Sequence, residues 1–121
     1  MRKILLLLPA LALAGTAGTL SAQTKPDGAT LFRQRCASCH TVTPGGRAML
    51  GPNLAGVVGR KAAATPFNYS PAFKKLNITW NRANLDRYLT GPARMVPGTR
   101  MVISVSDAQQ RAAILDYLAR P

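Results

Sequence analysis

Two thiols and one imidazole fall within five residues, Cys36-Ala37-Ser38-Cys39-His40, and the chain contains no other cysteine or histidine. A thiolate is a nucleophile and a metal ligand, and a neutral imidazole is a metal ligand, so four chemistries compete for such a run. A dithiol redox centre uses Cys-x-x-Cys but expects a strand-helix-strand setting, whereas the residues ahead of Cys36 pattern as a helix. A zinc site wants four ligands, and beyond these three only scattered Asp remain. A disulfide across so small a loop would stabilise little. In the fourth chemistry both thiols, at i and i+3, add to vinyl groups on one edge of a porphyrin, and the adjacent imidazole is held beneath the iron. This last reading needs both thiols and the imidazole, and it is the favoured one.

The elements that must position these groups are helices near the two ends. Asp27 is the expected N-cap of a helix running through Cys36, with Leu31 and Phe32 on its apolar side. Ser70-Pro71 opens a short second helix with proline in its first turn, Phe73 and Leu76 facing inward. A third spans Arg82 to Thr90, with Leu85, Tyr88 and Leu89 at i, i+3 and i+4, and Gly91-Pro92 as its stop. The last is marked by capping-box spacing between Ser106 and Gln109, and by an apolar stripe of Ala113, Ile114, Tyr117 and Leu118 before Pro121. No strand series is visible. Between the first two helices, Thr41 to Tyr69 is rich in Gly and Pro and keeps no period of 2 or 3.6. A structureless stretch that long belongs in a compact domain only if it wraps something that supplies the missing core.

Composition narrows the classes further. Hydrophobic residues make up 47% of the 121 residues, too many for a disordered chain, and the length allows one small domain. Arg2 and Lys3 precede an apolar stretch from Ile4 to Ala14, and small residues dominate Gly15 to Ala22. That order reads as a secretory leader with cleavage between Ala17 and Ala22. The apolar stretch falls well short of the roughly 20 residues that span a bilayer, so a permanent anchor is the weaker reading. Residues 1–22 are thus expected to be a signal peptide and residues 23–121 the functional domain. Loss of Arg2 and Lys3 leaves 14 basic residues against four Asp, a net charge of +10. A chain this short buries only roughly 60 to 65% of its unfolded surface, so a cofactor within it would help to complete the core.

Downstream of the motif come Thr41-Val42, Gly51-Pro52-Asn53-Leu54-Ala55-Gly56, Gly59-Arg60-Lys61, Phe67-Asn68-Tyr69, Ile78-Thr79-Trp80 and Val96-Pro97-Gly98-Thr99-Arg100-Met101. In this order and at nearly these spacings, the chain resembles class I cytochrome c, the mitochondrial protein and its soluble periplasmic bacterial relatives. The resemblance covers essentially all of the chain after the leader. It implies an all-α fold whose first and last helices cross, with Gly28 and Phe32 at the contact on one side and Ile114 and Tyr117 on the other. It further implies one haem c, held by thioethers from Cys36 and Cys39, with His40 at the proximal iron position and Met101 at the distal one. A thioether opposite an imidazole raises the potential, and two strong axial ligands leave no open site for oxygen chemistry. That favours a one-electron carrier over an enzyme. The alternative is a peroxidase-like haem enzyme or ligand sensor with a labile sixth site. Pro52, or a neighbour, would fix the His40 N–H through a carbonyl; Tyr69 and Trp80 would donate to a haem propionate and Arg60 would offset its charge. Met49 and Met95 are expected to fill the core. Phe73 and Ile103 depart from the family pattern, which more often has Asn and an aromatic residue there.

The basic excess has no recognition-helix or stacking-aromatic pattern beside it, which argues against nucleic acid. Arg35, Arg94 and Arg100 match basic positions around the exposed haem edge in the family and imply a docking face for acidic patches on redox partners. A quinol:cytochrome c reductase, a cytochrome oxidase or a periplasmic dehydrogenase would fit. Ala93 and Asp107 interrupt that ring. The expectation is a periplasmic monomer that meets membranes only through its partners. Thioether attachment has a direct check: acid-acetone extraction should leave the haem on the polypeptide, and replacing both Cys36 and Cys39 with Ala should release it. Extractable haem in the exported wild-type protein would contradict the assignment.

Overall fold

A computed structural model describes Gly18, Ser21, Ala22 and residues 24–121, so the expected leader lies almost wholly outside the described residues. The described chain is helical, in the order α1 (Gly28–Arg35), α2 (Pro71–Lys74), α3 (Arg82–Thr90), α4 (Pro92–Met95) and α5 (Ala108–Leu118). Its one β element is an isolated antiparallel bridge between Lys61 and Thr79. No described helix is long and apolar enough to cross a membrane.

Asp27 starts α1 as its spacing predicts. Its carboxylate accepts from the Thr30 amide at 3.0 Å and the Thr30 hydroxyl at 2.6 Å, and these bonds hold its pKa below the usual carboxylate value. One turn of backbone then has to pass very close to α5. A Cβ on Gly28 would stand 2.1 Å from the Ala113 carbonyl oxygen and 3.0 Å from Tyr117 Cβ. The side-chain-free position lets the two helices touch backbone to backbone, and the Phe32 and Tyr117 rings then meet with centroids 5.4 Å apart. Phe32 and Ile114 are both buried at this crossing.

The start of α5 corrects the sequence reading by one residue. Asp107 rather than Ser106 is the N-cap, accepting from the Gln110 amide at 2.8 Å. Both residues have the right spacing to a glutamine, but a carboxylate also complements the positive end of the helix dipole. Ser106 keeps its carbonyl free for Arg111. Gly91-Pro92 likewise does more than stop α3. Gly91 turns the chain and Pro92 opens α4, where its missing N–H costs nothing. Leu76 lies beyond α2, yet it packs with Phe73 against the core as expected. Reciprocal bonds between Asn81 and Asn84 cap α3.

Between α1 and α2 the chain runs without a helix, as the lack of period predicts. Its backbone groups pair across loops: Gly59 N–H to the Trp80 carbonyl at 2.7 Å, Trp80 N–H to Arg60 at 2.8 Å and Ala62 N–H to Ile78 at 2.9 Å. On the surface Asp116 of α5 accepts from Lys25 and Arg82, each at 2.7 Å. Exposed pairs of this kind add little. The backbone contact at Gly28 matters more: Gly28→Ala should destabilise the haem-loaded protein by about 1–3 kcal/mol, the usual cost of overpacking. Guanidinium unfolding compared with wild type measures it.

Candidate functional site

The C-terminus of α1 runs directly into the thiol–imidazole motif. Cys36 and Ala37 both donate to the Phe32 carbonyl, and Cys39 and His40 donate to that of Cys36 at 3.0 and 2.9 Å. A single turn therefore carries all three side chains, fixed to α1 by its own backbone. Both thiols are free and partly buried. Burial pushes the Cys36 thiol up to about 11, with Arg35 acting weakly against it. It is a neutral thiol at physiological pH, unlike the low-pKa thiolate of a dithiol redox centre. Among the described residues, no three His, Cys, Asp or Glu side chains converge as a metal cluster.

From His40 the chain loops out and returns. Gly51 N–H donates to the Cys39 carbonyl and Leu54 N–H to that of Thr41, both at 2.8 Å. This brings the Pro52 carbonyl to 2.7 Å from His40 Nδ1. A carbonyl can only accept, so Nδ1 carries the proton and Nε2 keeps its lone pair. Gly51 covers the ring so closely that a Cβ would lie 2.3 Å from Cε1 and 2.9 Å from Nε2. Burial lowers the His40 pKa, and the Pro52 bond partly opposes that. The imidazole is thus neutral, oriented and ready to ligate.

The segment that grips His40 is itself gripped. Asn53 Nδ2 donates to the carbonyls of Thr43 and Gly46 at 2.8 Å, while Arg60 reaches back to the carbonyls of Ala55 at 2.8 Å and Asn53 at 2.9 Å. In the described chain Arg60 is therefore a clamp on the Pro52 loop. Tyr69 Oη pairs with Thr65 Oγ1. Trp80 is only 5% exposed, and its ring lies in an aromatic run with Phe73 and Tyr88, centroids 5.9 and 5.4 Å away. Phe73 also stacks on Tyr69 at 5.3 Å, so the ring found at this unusual position joins Tyr69 to Trp80.

Met101 is partly buried against the core. Two residues earlier, Thr99 Oγ1 pairs with the buried Tyr88 hydroxyl at 2.7 Å and lies 3.4 Å from the Met101 amide. Met95 packs on the core as expected. Met49 does not: it is 50% exposed, because the loop from Thr43 to Leu50 turns outward before Gly51 returns to Cys39. Arg35 and Arg94 are exposed, and Arg100, also exposed, donates to the Asn68 carbonyl at 2.6 Å.

A residue missed from the sequence is Arg111, buried at 9% exposure on the core-facing side of α5. Its place three residues before Ile114, on the apolar stripe, was the available signal.

The cytochrome c family model matches residues 26–120, the whole span from the N-cap of α1 to the end of α5. The chain belongs to the cytochrome c family. A cytochrome c of Theileria annulata is 44% identical over 92 residues, covering 75% of this chain and 80% of its own length. A cytochrome c2 of Rhodomicrobium vannielii is 39% identical over 121 residues, covering 98% of this chain and 96% of its own. A cytochrome c of Kluyveromyces lactis is 39% identical over 95 residues, covering 77% and 86%. Cytochromes c of this family carry covalently attached haem c and are electron-transfer proteins, not enzymes. The donor set of this member fits that group: two free thiols three residues apart, and beside them a neutral imidazole whose outer nitrogen is already bonded.

Proposed function

We propose that this cytochrome c is an exported one-electron carrier with His40 and Met101 as its axial ligands. Haem c supplies an iron that alternates between ferric and ferrous states. Cys36 and Cys39 hold it through thioethers, and the turn on α1 gives them a rigid base. His40 presents Nε2. The observation that carries the reading is the 2.7 Å bond from its Nδ1 to Pro52, which fixes the tautomer and raises ligand basicity.

Met101 supplies a soft, neutral sulfur that favours the ferrous state. With His40 and Met101 both holding the iron, oxygen and peroxide would find no free position, which is why a carrier is favoured over a haem enzyme or sensor. Tyr69 and Trp80 are assigned to the propionate side, and Arg60 adds positive charge there while bracing the Pro52 loop.

Export to the periplasm by a signal peptide is supported by the charge and apolar pattern of residues 1–22. It is supported also by an alignment to the Rhodomicrobium cytochrome c2 that extends over 98% of the chain. Arg35 and Arg94 form the free part of a cationic docking face, and Arg100 contributes while bound to Asn68. The partners are acidic-patch redox proteins, a quinol:cytochrome c reductase, a cytochrome oxidase or a periplasmic dehydrogenase.

Two experiments test these assignments. Met101→Ala should abolish the far-red sulfur-to-iron absorption of the ferric protein, whereas Met95→Leu should keep it; the reverse result would move the ligand. Association with an acidic partner should slow as salt shortens the Debye length from about 30 Å at 0.01 M to about 10 Å at 0.1 M. Replacing Arg94 and Arg100 with Gln should reduce both the rate and its salt slope, and an unchanged slope would make the charge general solubilisation.

A further inference from the structure

Arg111 is the only charged side chain in the buried set of the described residues, and electron carrying by itself requires no charge there. A buried guanidinium is costly unless its N–H groups are satisfied. Arg111 satisfies three of its five N–H groups within the protein. Nε donates to Asp86 Oδ1 of α3 at 2.8 Å, and Nη1 donates to the carbonyls of Val105 at 3.0 Å and Ser106 at 2.7 Å. Two of the three therefore end on the backbone just beyond Met101.

The same stretch is tied to α3 from both sides. Val105, 1% exposed, donates its N–H to the Leu89 carbonyl at 2.8 Å. On the near side Thr99 pairs with Tyr88 at 2.7 Å. Between these anchors Val102 is 88% exposed and Ile103 49%. The segment carrying Met101 is thus anchored at both ends, and between them Arg100 holds the Asn68 carbonyl and Met101 packs on the core while Val102 and Ile103 face outward. How readily Met101 swings out depends on how firmly the ends stay fixed, since local opening follows the weakest anchored stretch.

We propose that the Asp86–Arg111 pair is a latch on the far end of this segment: Asp86 orients Arg111, and Arg111 pins Val105 and Ser106 so that Met101 resists displacement by an outside base. Both are positioning residues. The inference rests on Met101 being the distal ligand.

Imidazole titration of the haem-loaded ferric protein at neutral pH, followed by loss of the far-red band, tests it. Arg111→Met should bind imidazole about tenfold more tightly than wild type, equivalent to about 1.4 kcal/mol, and Asp86→Asn about threefold more tightly. Asp116→Asn, which removes a carboxylate of the same helix-to-helix surface but only from the exposed pairs to Lys25 and Arg82, should leave imidazole affinity unchanged. Asp86→Asn retains the guanidinium and decides alone if Arg111→Met does not fold. Wild-type affinity in Asp86→Asn would overturn the latch, as would an equal gain in Asp116→Asn, which would indicate general loosening. A wild-type protein without the far-red band would instead overturn the ligand assignment.

Discussion

The hydrogen bond from His40 Nδ1 to the Pro52 carbonyl is the constraint around which the first half of the chain is organised. To deliver one carbonyl to one ring nitrogen, the loop after His40 must go out and come back with its own polar groups satisfied. Gly51 has to lie flat on the imidazole, where any Cβ would collide. Asn53 must close the outgoing loop onto Thr43 and Gly46, and Arg60 must brace the returning segment. Each of these bonds is modest in water. Together they leave the ring one orientation and one tautomer.

The opposite half is built by packing. Gly28 lets α1 and α5 meet at backbone distance, and α3 packs on α5 with Leu85, Tyr88 and Leu89 buried. From that platform Tyr88 and Leu89 hold the chain on either side of Met101. The His40 side thus depends on loop hydrogen bonds and the Met101 side on helix packing. The aromatic run from Tyr69 through Phe73 and Trp80 to Tyr88 spans the two halves.

What was legible in the sequence was local. The motif, the Asp27 cap and the span of α3 each depend on residues within a turn or two, so their spacing alone identifies them. The path of residues 41–69 was visible only through a family resemblance, because a loop set by carbonyl acceptors leaves no periodicity. Ser106 and Asp107 show the limit of spacing: two adjacent residues fit the same cap pattern, and the carboxylate, which complements the positive helix end, takes the place. The role of Arg111 was hidden because its partner Asp86 is 25 residues away. Met49 was misread because apolar character says nothing about which way a loop turns.

The basic charge divides along the same lines. A short chain with few helical hydrogen bonds leaves many carbonyls to satisfy, and a planar guanidinium with five donors can serve two or three at once. Arg60 takes Asn53 and Ala55, Arg82 takes Ala112, Arg100 takes Asn68, and Arg111 takes Val105 and Ser106. A lysine ammonium could not reproduce the forked contact of Arg60, whose two terminal nitrogens take one carbonyl each. These arginines therefore fasten the chain while keeping their charge, and Arg82 and Arg100 do so from exposed positions. Among the described residues Arg35 and Arg94 clamp none of these carbonyls.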